Sequence, residues 1–320
     1  MSLPIHHPYD FDPTHGLGIE ALRAVRPPEG PSDFDGFWRA RYAAALRVRP
    51  RPWLQDSQSR HPNWRVHDVV FTSTGDFEIG GWLLSPLNGS VRRGLVLGHG
   101  YGGRDEPDFD IPVQETAVLF PCFRGLSRSR RDGVASDAYG HVLTDIDDRD
   151  RYILGGCVED LWLAVSALTA LHPQLDGIGY IGASLGGGLG ALAIPFDRRI
   201  DRGHLTVPTF GAMPLWLTLP SVGSAWSVQN YQKTHPDVAE TLRYFDAATA
   251  ATRIGIPMLV AVARFDPAVA PPCQFAVANA LPTSNLHETV ILDAGHFDYN
   301  GSEAQQALLS KKVGRLFGAK

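Results

Sequence analysis

The chain has 320 residues, 44% of them hydrophobic and 20% charged, a balance ordinary for a packed globular protein and unsuited to disorder or a fibrous repeat. A net charge of −5 with no long basic run argues against nucleic acid as a partner and favours a small or neutral substrate. Three cysteines, Cys122, Cys157 and Cys273, give neither a disulfide framework nor a C-x-x-C metal site, so a reducing compartment is expected.

Residues 1 to about 30, rich in Pro, Gly and His, read as an irregular surface extension. The start lacks a basic n-region and an apolar h-region, and no later stretch reads as long and apolar enough to cross a bilayer. The expectation is a cytoplasmic protein without a membrane partner. His6 and His7, near Asp10 and Asp12, lack a second ligand group at defined spacing, so no metal is expected there. In "PSDFDGFWRARYAAALRV", Ser32 or Asp33 caps an amphipathic helix that buries Phe34, Phe37, Trp38, Tyr42 and Leu46. From Trp64 the pattern is strand, turn, strand around Thr74-Gly75-Asp76, which predicts an antiparallel hairpin.

Beyond the hairpin, apolar runs alternate with helical stretches: "GLVLG", "TAVLFPC", a helix over "GCVEDLWLAVSALTAL", "GIGYIGAS", a helix over "LGGGLGALAI", then "GHLTVPT", "PMLVAVA" and "ETVILDA". Such alternation predicts an α/β fold with a mostly parallel central sheet, helices on both faces and an N-terminal helical extension. A single domain is expected over 1–320, with 1–65 as extension and helix and 66–320 as the catalytic core.

Two segments carry glycines in a nucleotide-like spacing. Gly98, Gly100 and Gly103 match G-x-G-x-x-G directly after a strand, whereas Gly177, Gly179 and Gly182 match it inside a strand, where the match is accidental. A dinucleotide site also wants an acidic residue about twenty positions on, and that region offers Arg124 instead. No cofactor is implied.

The productive pattern is Gly182-Ala183-Ser184-Leu185-Gly186, a G-x-S-x-G between an apolar strand and an Ala/Gly/Leu helix. A serine on so sharp a turn needs small neighbours, and the helix N-terminus beyond it offers amides to developing negative charge. Its base and acid should follow at later strand ends, in the order Ser, Asp, His. Asp266 follows "IPMLVAVARF" and His296 follows "ETVILDAG". Asp293 and Asp298 are rival acids, too close in sequence to His296 to reach its ring easily. The first glycine segment then supplies the second oxyanion amide from Tyr101, beside that of Leu185, with His99 bracing the loop. Arg124 reads as a loop-bracing ion-pair partner, while Trp216, Trp226 and Tyr231 fit a cleft wall and internal packing equally well.

These residues resemble the acetyl xylan esterase and cephalosporin-C deacetylase family of serine α/β-hydrolases. The likeness runs through "DFDGFWRARYAAAL", "GWLLSP", "GHGYGGR", "RGLSRS", "GASLGGGLGALA", "TLRYFDAATAA", "DPAVAPP" and "AGHFDY". It implies an α/β-hydrolase fold, deacetylation of small acetylated sugars or related acetyl esters, and often a ring-like homo-oligomer. The sequence departs from the family pattern at Leu126 (R-G-Q), Leu185 (G-x-S-Q-G) and Phe297 (H-E), which marks a divergent member. Two other readings of the same triad are a peptidase or thioesterase and a relative that binds a ligand without turnover.

Overall fold

The computed structural model describes residues 5–283 and 286–318. Among the described residues there are nine strands: β1 (Trp53–Asp56), β2 (Trp64–Ser73), β3 (Phe77–Pro86), β4 (Arg93–Gly98), β5 (Thr116–Pro121), β6 (Gly177–Ala183), β7 (Ile200–Thr206), β8 (Met258–Ala263) and β9 (His287–Leu292). They form one sheet in the order β1-β2-β3-β5-β4-β6-β7-β8-β9. The expected hairpin is β2–β3, in register from Trp64↔Pro86 to Ser73↔Phe77, with Gly75 at φ 64° in its turn. β1 to β3 and β5 pair antiparallel, and from β5 through β4 to β9 every pairing is parallel. Every residue of β5 and β8 is buried, because layers on both faces exclude water from the middle of the sheet.

On one face lie α2 (Phe34–Ala45), α4 (Ile153–Leu171), α5 (Leu185–Ala193) and α10 (Pro271–Ala280), joined with α1 (Ile19–Ala24) into the larger core. The other face is covered by α11 (Ser302–Phe317), whose Leu309, Val313 and Phe317 pack on Leu95, Leu97 and Val207. α3 (Ala138–His141) lies between β5 and α4 in the chain. Between β7 and β8 the chain makes an excursion through α6 (Met213–Trp216), α7 (Ser224–Gln232), α8 (Val238–Leu242) and α9 (Ala247–Ala251). The buried carboxylate of Asp246 ties it together, accepting from the amides of Met213 at 2.5 Å and Thr249 at 2.8 Å.

Three expectations need correction. α2 buries Phe34, Phe37 and Trp38, but Leu46 lies one residue past the helix and is 45% exposed, so the apolar stripe stops earlier than its spacing suggests. Asp33 sits at the N-cap position without capping, because its carboxylate takes the hydroxyl of Tyr244 at 2.6 Å and the guanidinium of Arg149 at 3.2 Å. α4 is long and apolar enough to cross a membrane, with 19 residues and a mean hydropathy of 1.4, contrary to the sequence reading. Packing explains that composition: 83% of the stretch is buried inside the molecule, and its two acids, Glu159 and Asp160, are paired with Arg41 and Arg124.

The sheet begins at Trp53, within the residues assigned to the extension. Upstream, α1 seats Leu22 against α10, where Asn279 donates to the carbonyls of Leu22 at 2.9 Å and Val25 at 3.0 Å.

Candidate active site

β6 ends at Ala183 and α5 begins at Leu185, leaving Ser184 alone at the turn with φ 53° and ψ −113°. An L-residue holds such a backbone only where its surroundings over-determine it. Here the Ser184 amide donates to Thr206 at 2.9 Å, and its carbonyl accepts from Gly188 at 3.0 Å and Thr209 at 3.2 Å. The flanking glycines answer to close approach. A Cβ on Gly182 would lie 2.4 Å from the Gly186 carbonyl oxygen, and one on Gly186 would lie 2.9 Å from the Gly98 backbone. The buried Tyr180 hydroxyl locks the turn from below by donating to the Gly186 carbonyl at 2.6 Å.

His296 and Asp266 follow β9 and β8 and reach this turn from two neighbouring strand ends. Nε2 of His296 lies 2.9 Å from Ser184 Oγ, and Nδ1 lies 2.8 Å from Asp266 Oδ2 and 3.1 Å from Oδ1. An ionised carboxylate only accepts, so Nδ1 carries the proton and Nε2 is left to accept from the serine hydroxyl. Burial pushes the imidazole pKa down, but the hydrogen bond and charge of Asp266 outweigh it and raise the value above the usual one. Asp266 is fully buried while the His296 side chain is 29% exposed, so the acid is sealed and the base opens toward solvent. Of the rival acids, Asp293 is committed to an ion pair with Arg264 and to Gln305, and among the described residues the only carboxylate hydrogen-bonded to the ring is Asp266.

The loop after β4 lies over the nucleophile: a Cβ on Gly100 would stand 3.4 Å from Ser184 Cβ and 3.9 Å from its Oγ. The loop is pinned by the Gly186 amide donating to the His99 carbonyl at 3.0 Å. His99 itself donates from Nδ1 to the Gly100 carbonyl at 2.7 Å, while its Nε2 accepts from the Phe123 amide at 3.0 Å. That arrangement requires a neutral ring, and burial drives its pKa down to about 4. Among the described residues, the amides of Tyr101 and Leu185 have no hydrogen-bond partner; Leu185 follows Ser184 directly, and Tyr101 follows Gly100, where an added Cβ would meet Ser184. The Tyr101 ring packs edge-on to His141, with centroids 5.6 Å apart. A cavity of about 550 Å³ borders Gly98, Gly100 and Ala183 and is rimmed by Arg104, Asp105, Glu106 and Asp108.

Arg124 does not face this site. Its guanidinium grips Asp160 at 2.5 Å and reaches the hydroxyls of Ser73 at 3.1 Å and Thr74 at 2.9 Å, bracing the loop after β5 against β2 and α4. Leu126, where the family carries a glutamine, is buried in the core. Trp216 is buried, whereas Trp226 is 53% exposed and meets Tyr139 edge-on at 6.0 Å; Tyr231 bonds to Asp147 on the surface.

The sequence reading missed two supports of Asp266. The Pro13 carbonyl accepts from the Asp266 amide at 3.2 Å, while His7 and Tyr9 pack on Phe265 and on Phe297, the neighbour of His296. From the other side Gln274, in the first turn of α10, donates to Asp266 Oδ2 at 2.8 Å. Its only signal in the sequence is an amide at the start of the largely apolar run "APPCQFAVANA".

A parallel sheet carrying a serine at a strand-to-helix turn, with an imidazole and a carboxylate from the next strand ends, defines a serine hydrolase of the α/β-hydrolase fold. Within that class the chain belongs to the acetyl xylan esterase family, whose model matches residues 14–312, and it is a carboxylic ester hydrolase. Among solved structures it is similar to acetyl xylan esterase 1 from Thermoanaerobacterium sp. JW/SL YS485, at TM-score 0.80 and 20% identity over 95% of this chain and 99% of that one. It is likewise similar to an acetyl xylan esterase from Paenibacillus sp. R4, at TM-score 0.79 and 22% identity over 92% and 99%. A more distant likeness is to the acylaminoacyl peptidase of Pyrococcus horikoshii, at TM-score 0.56 and 15% identity over 80% and 41%.

Proposed function

We propose that the protein removes acetyl groups from small acetylated carbohydrates, or from related acetyl esters such as cephalosporin C, through an acyl-enzyme on Ser184. His296 takes the proton from Oγ as it attacks the ester carbonyl, Asp266 holds the imidazole tautomer and stabilises the imidazolium, and the amides of Tyr101 and Leu185 receive the oxyanion. The protonated His296 then donates to the departing alcohol, and water repeats the sequence on the acyl-enzyme. The observation that carries this reading is the continuous line from Ser184 Oγ through the two ring nitrogens of His296 to Asp266, at 2.9 and 2.8 Å.

The test is hydrolysis of p-nitrophenyl acetate by purified wild type and Ser184→Ala. Loss of a triad nucleophile costs on the order of a million-fold in turnover, so the variant is expected to be inactive. Equal rates in the two proteins would remove the assignment. An acyl series from acetate to octanoate, run beside acetylated xylo-oligosaccharides and cephalosporin C, tests the acetyl preference. A flat series would move the substrate class toward a general esterase. The family resemblance also carries an expectation of self-association, which sedimentation checks directly.

A further inference from the structure

We infer that Gln274 is a positioning residue of this triad: it holds Asp266 in line with His296 and draws charge off the carboxylate. The inference rests on the acyl-transfer reading above. Around it α10 is apolar and buried from Pro271 to Cys273 and from Phe275 to Ala278, and Gln274 itself has no exposed surface. An amide side chain placed there is costly unless its hydrogen bonds are made. Three are made. Oε1 accepts from the Ala263 amide at 2.8 Å, and Nε2 donates to the Val269 carbonyl at 2.7 Å and to Asp266 Oδ2 at 2.8 Å.

The orientation of the amide is fixed by chemistry. A backbone N–H on one side and a backbone carbonyl on the other admit only one placement of oxygen and nitrogen, so it is an N–H that meets Asp266. Two of these bonds would serve merely to join the end of β8 to the loop before α10. The third falls on the oxygen that makes the shorter bond to His296. Asp266 Oδ1 meanwhile takes the amides of Ala268 and Val269, each at 2.9 Å. Three neutral N–H groups therefore share the carboxylate's charge with the imidazole, and Gln274 is the one that a substitution removes cleanly. The other titratable groups on the surrounding elements are the Arg264–Asp293 pair after β8 and β9, Asp298 beyond the histidine, His7 on the N-terminal segment, and Cys273 and Asp246 behind α10; among the described residues, the His296 ring bonds to Asp266 and Ser184, and the Asp266 carboxylate to His296, Gln274, Ala268 and Val269.

Removing the Gln274 N–H concentrates charge on the carboxylate, which tightens its hold on the imidazolium and keeps His296 protonated to higher pH. Gln274→Met preserves the bulk. On p-nitrophenyl acetate it is expected to lower kcat about tenfold and to move the acid limb of the kcat/KM profile up by about half a pH unit. Gln274→Glu sets a second carboxyl between Oδ2 and the Val269 carbonyl, two acceptors that keep it protonated, so it can still donate to Oδ2 and is expected to move the limb less than Gln274→Met. A role confined to joining β8 to the loop predicts a lower melting temperature with an unmoved limb, and that result overturns the inference. Because both variants lose buried bonds, the wild type is also followed by NMR, observing the Gln274 side-chain nitrogen through the titration of His296. A nitrogen shift with the midpoint of the imidazole is expected, and a flat trace overturns the inference. Activity surviving in Ser184→Ala would instead overturn the acyl-transfer reading and leave the NMR result to judge Gln274 by itself.

Discussion

Gly295→Ala isolates the demand that the triad makes on backbone packing. A Cβ at Gly295 would stand 2.5 Å from Asp266 Oδ2, 2.8 Å from Val207 Cγ1 and 3.1 Å from Ala263 Cβ. Ordinary contact needs about 3.5 Å, so the closest approach is short by about 1 Å. Asp266 cannot retreat, since Ala268, Val269 and Gln274 hold it and Pro13 takes its amide. Val207 is fixed by its amide bond to the Ala261 carbonyl at 2.7 Å. The histidine loop therefore moves, and a shift of that size stretches the 2.8 Å bond between Nδ1 and Asp266 beyond hydrogen-bond range. Misplacement by about 1 Å costs on the order of a hundredfold in rate, and overpacking costs about 1–3 kcal/mol in stability. Kinetics on p-nitrophenyl acetate, with urea unfolding beside them, read both quantities. A Gly295→Ala enzyme that is destabilised yet keeps kcat/KM within about threefold of wild type would refute the argument, because that outcome lies far below the hundredfold cost of misplacement.

The remaining predictions concern pH, the buried ion pair and the oxyanion loop. Because Asp266 raises the pKa of His296 above the ordinary value of about 6.5, kcat/KM should fall as pH drops through a midpoint above that value, and Asp266→Asn should move the midpoint down. The same shift has a stability sign: the proton on His296 stabilises the folded chain below about pH 6.5, and that contribution is lost as pH rises through the folded value. Comparing the unfolding of wild type and His296→Gln across this range measures it. Arg124→Met leaves the buried Asp160 uncompensated and should cost about 3–5 kcal/mol by urea unfolding, with KM unchanged in the folded fraction; a raised KM at full stability would make Arg124 a substrate ligand. Tyr101→Phe should retain kcat within about threefold, since the group assigned to the oxyanion is the amide and the ring turns toward His141.

The features legible in the sequence are those written as local backbone demands. Ser184 is readable because a sharp strand-to-helix turn forbids side chains at Gly182 and Gly186, and contacts of 2.4 and 2.9 Å are the physical form of that rule. The strands are readable because burial on both faces forces continuous apolar runs, as in β5 and β8. Asp266 and His296 are then located by topology, since strand ends in a parallel sheet gather at one rim. What escapes is whatever a distant partner decides. β1 is the short edge segment "WLQD", with no periodicity of its own, and it exists because β2 offers it a ladder from Val70 to His67. α4 misleads in the opposite direction, for its apolar run reflects burial against the sheet and α5, and its two acids are tolerated because Arg41 and Arg124, with the hydroxyls of Thr74 and Ser73, reach them.

The chemistry of the site follows the same division. The three side chains proposed for the triad can be read from motif and order, yet the environment that holds Asp266 comes from Pro13, Ala268, Val269 and Gln274, spread over more than two hundred and fifty positions. Ala268, Val269 and Gln274 donate to its oxygens, while the Pro13 carbonyl holds its amide. Their placement depends on the N-terminal segment crossing the β8 loop and on α10 docking its first turn beneath that loop. The family's glutamine and glutamate positions, occupied by Leu126, Leu185 and Phe297, carry apolar side chains here; Phe297 packs on Phe265 and Tyr9 of that crossing segment. Packing at the histidine thus stands where a polar residue stands in the family, and the N-terminal segment becomes part of what holds the base in place.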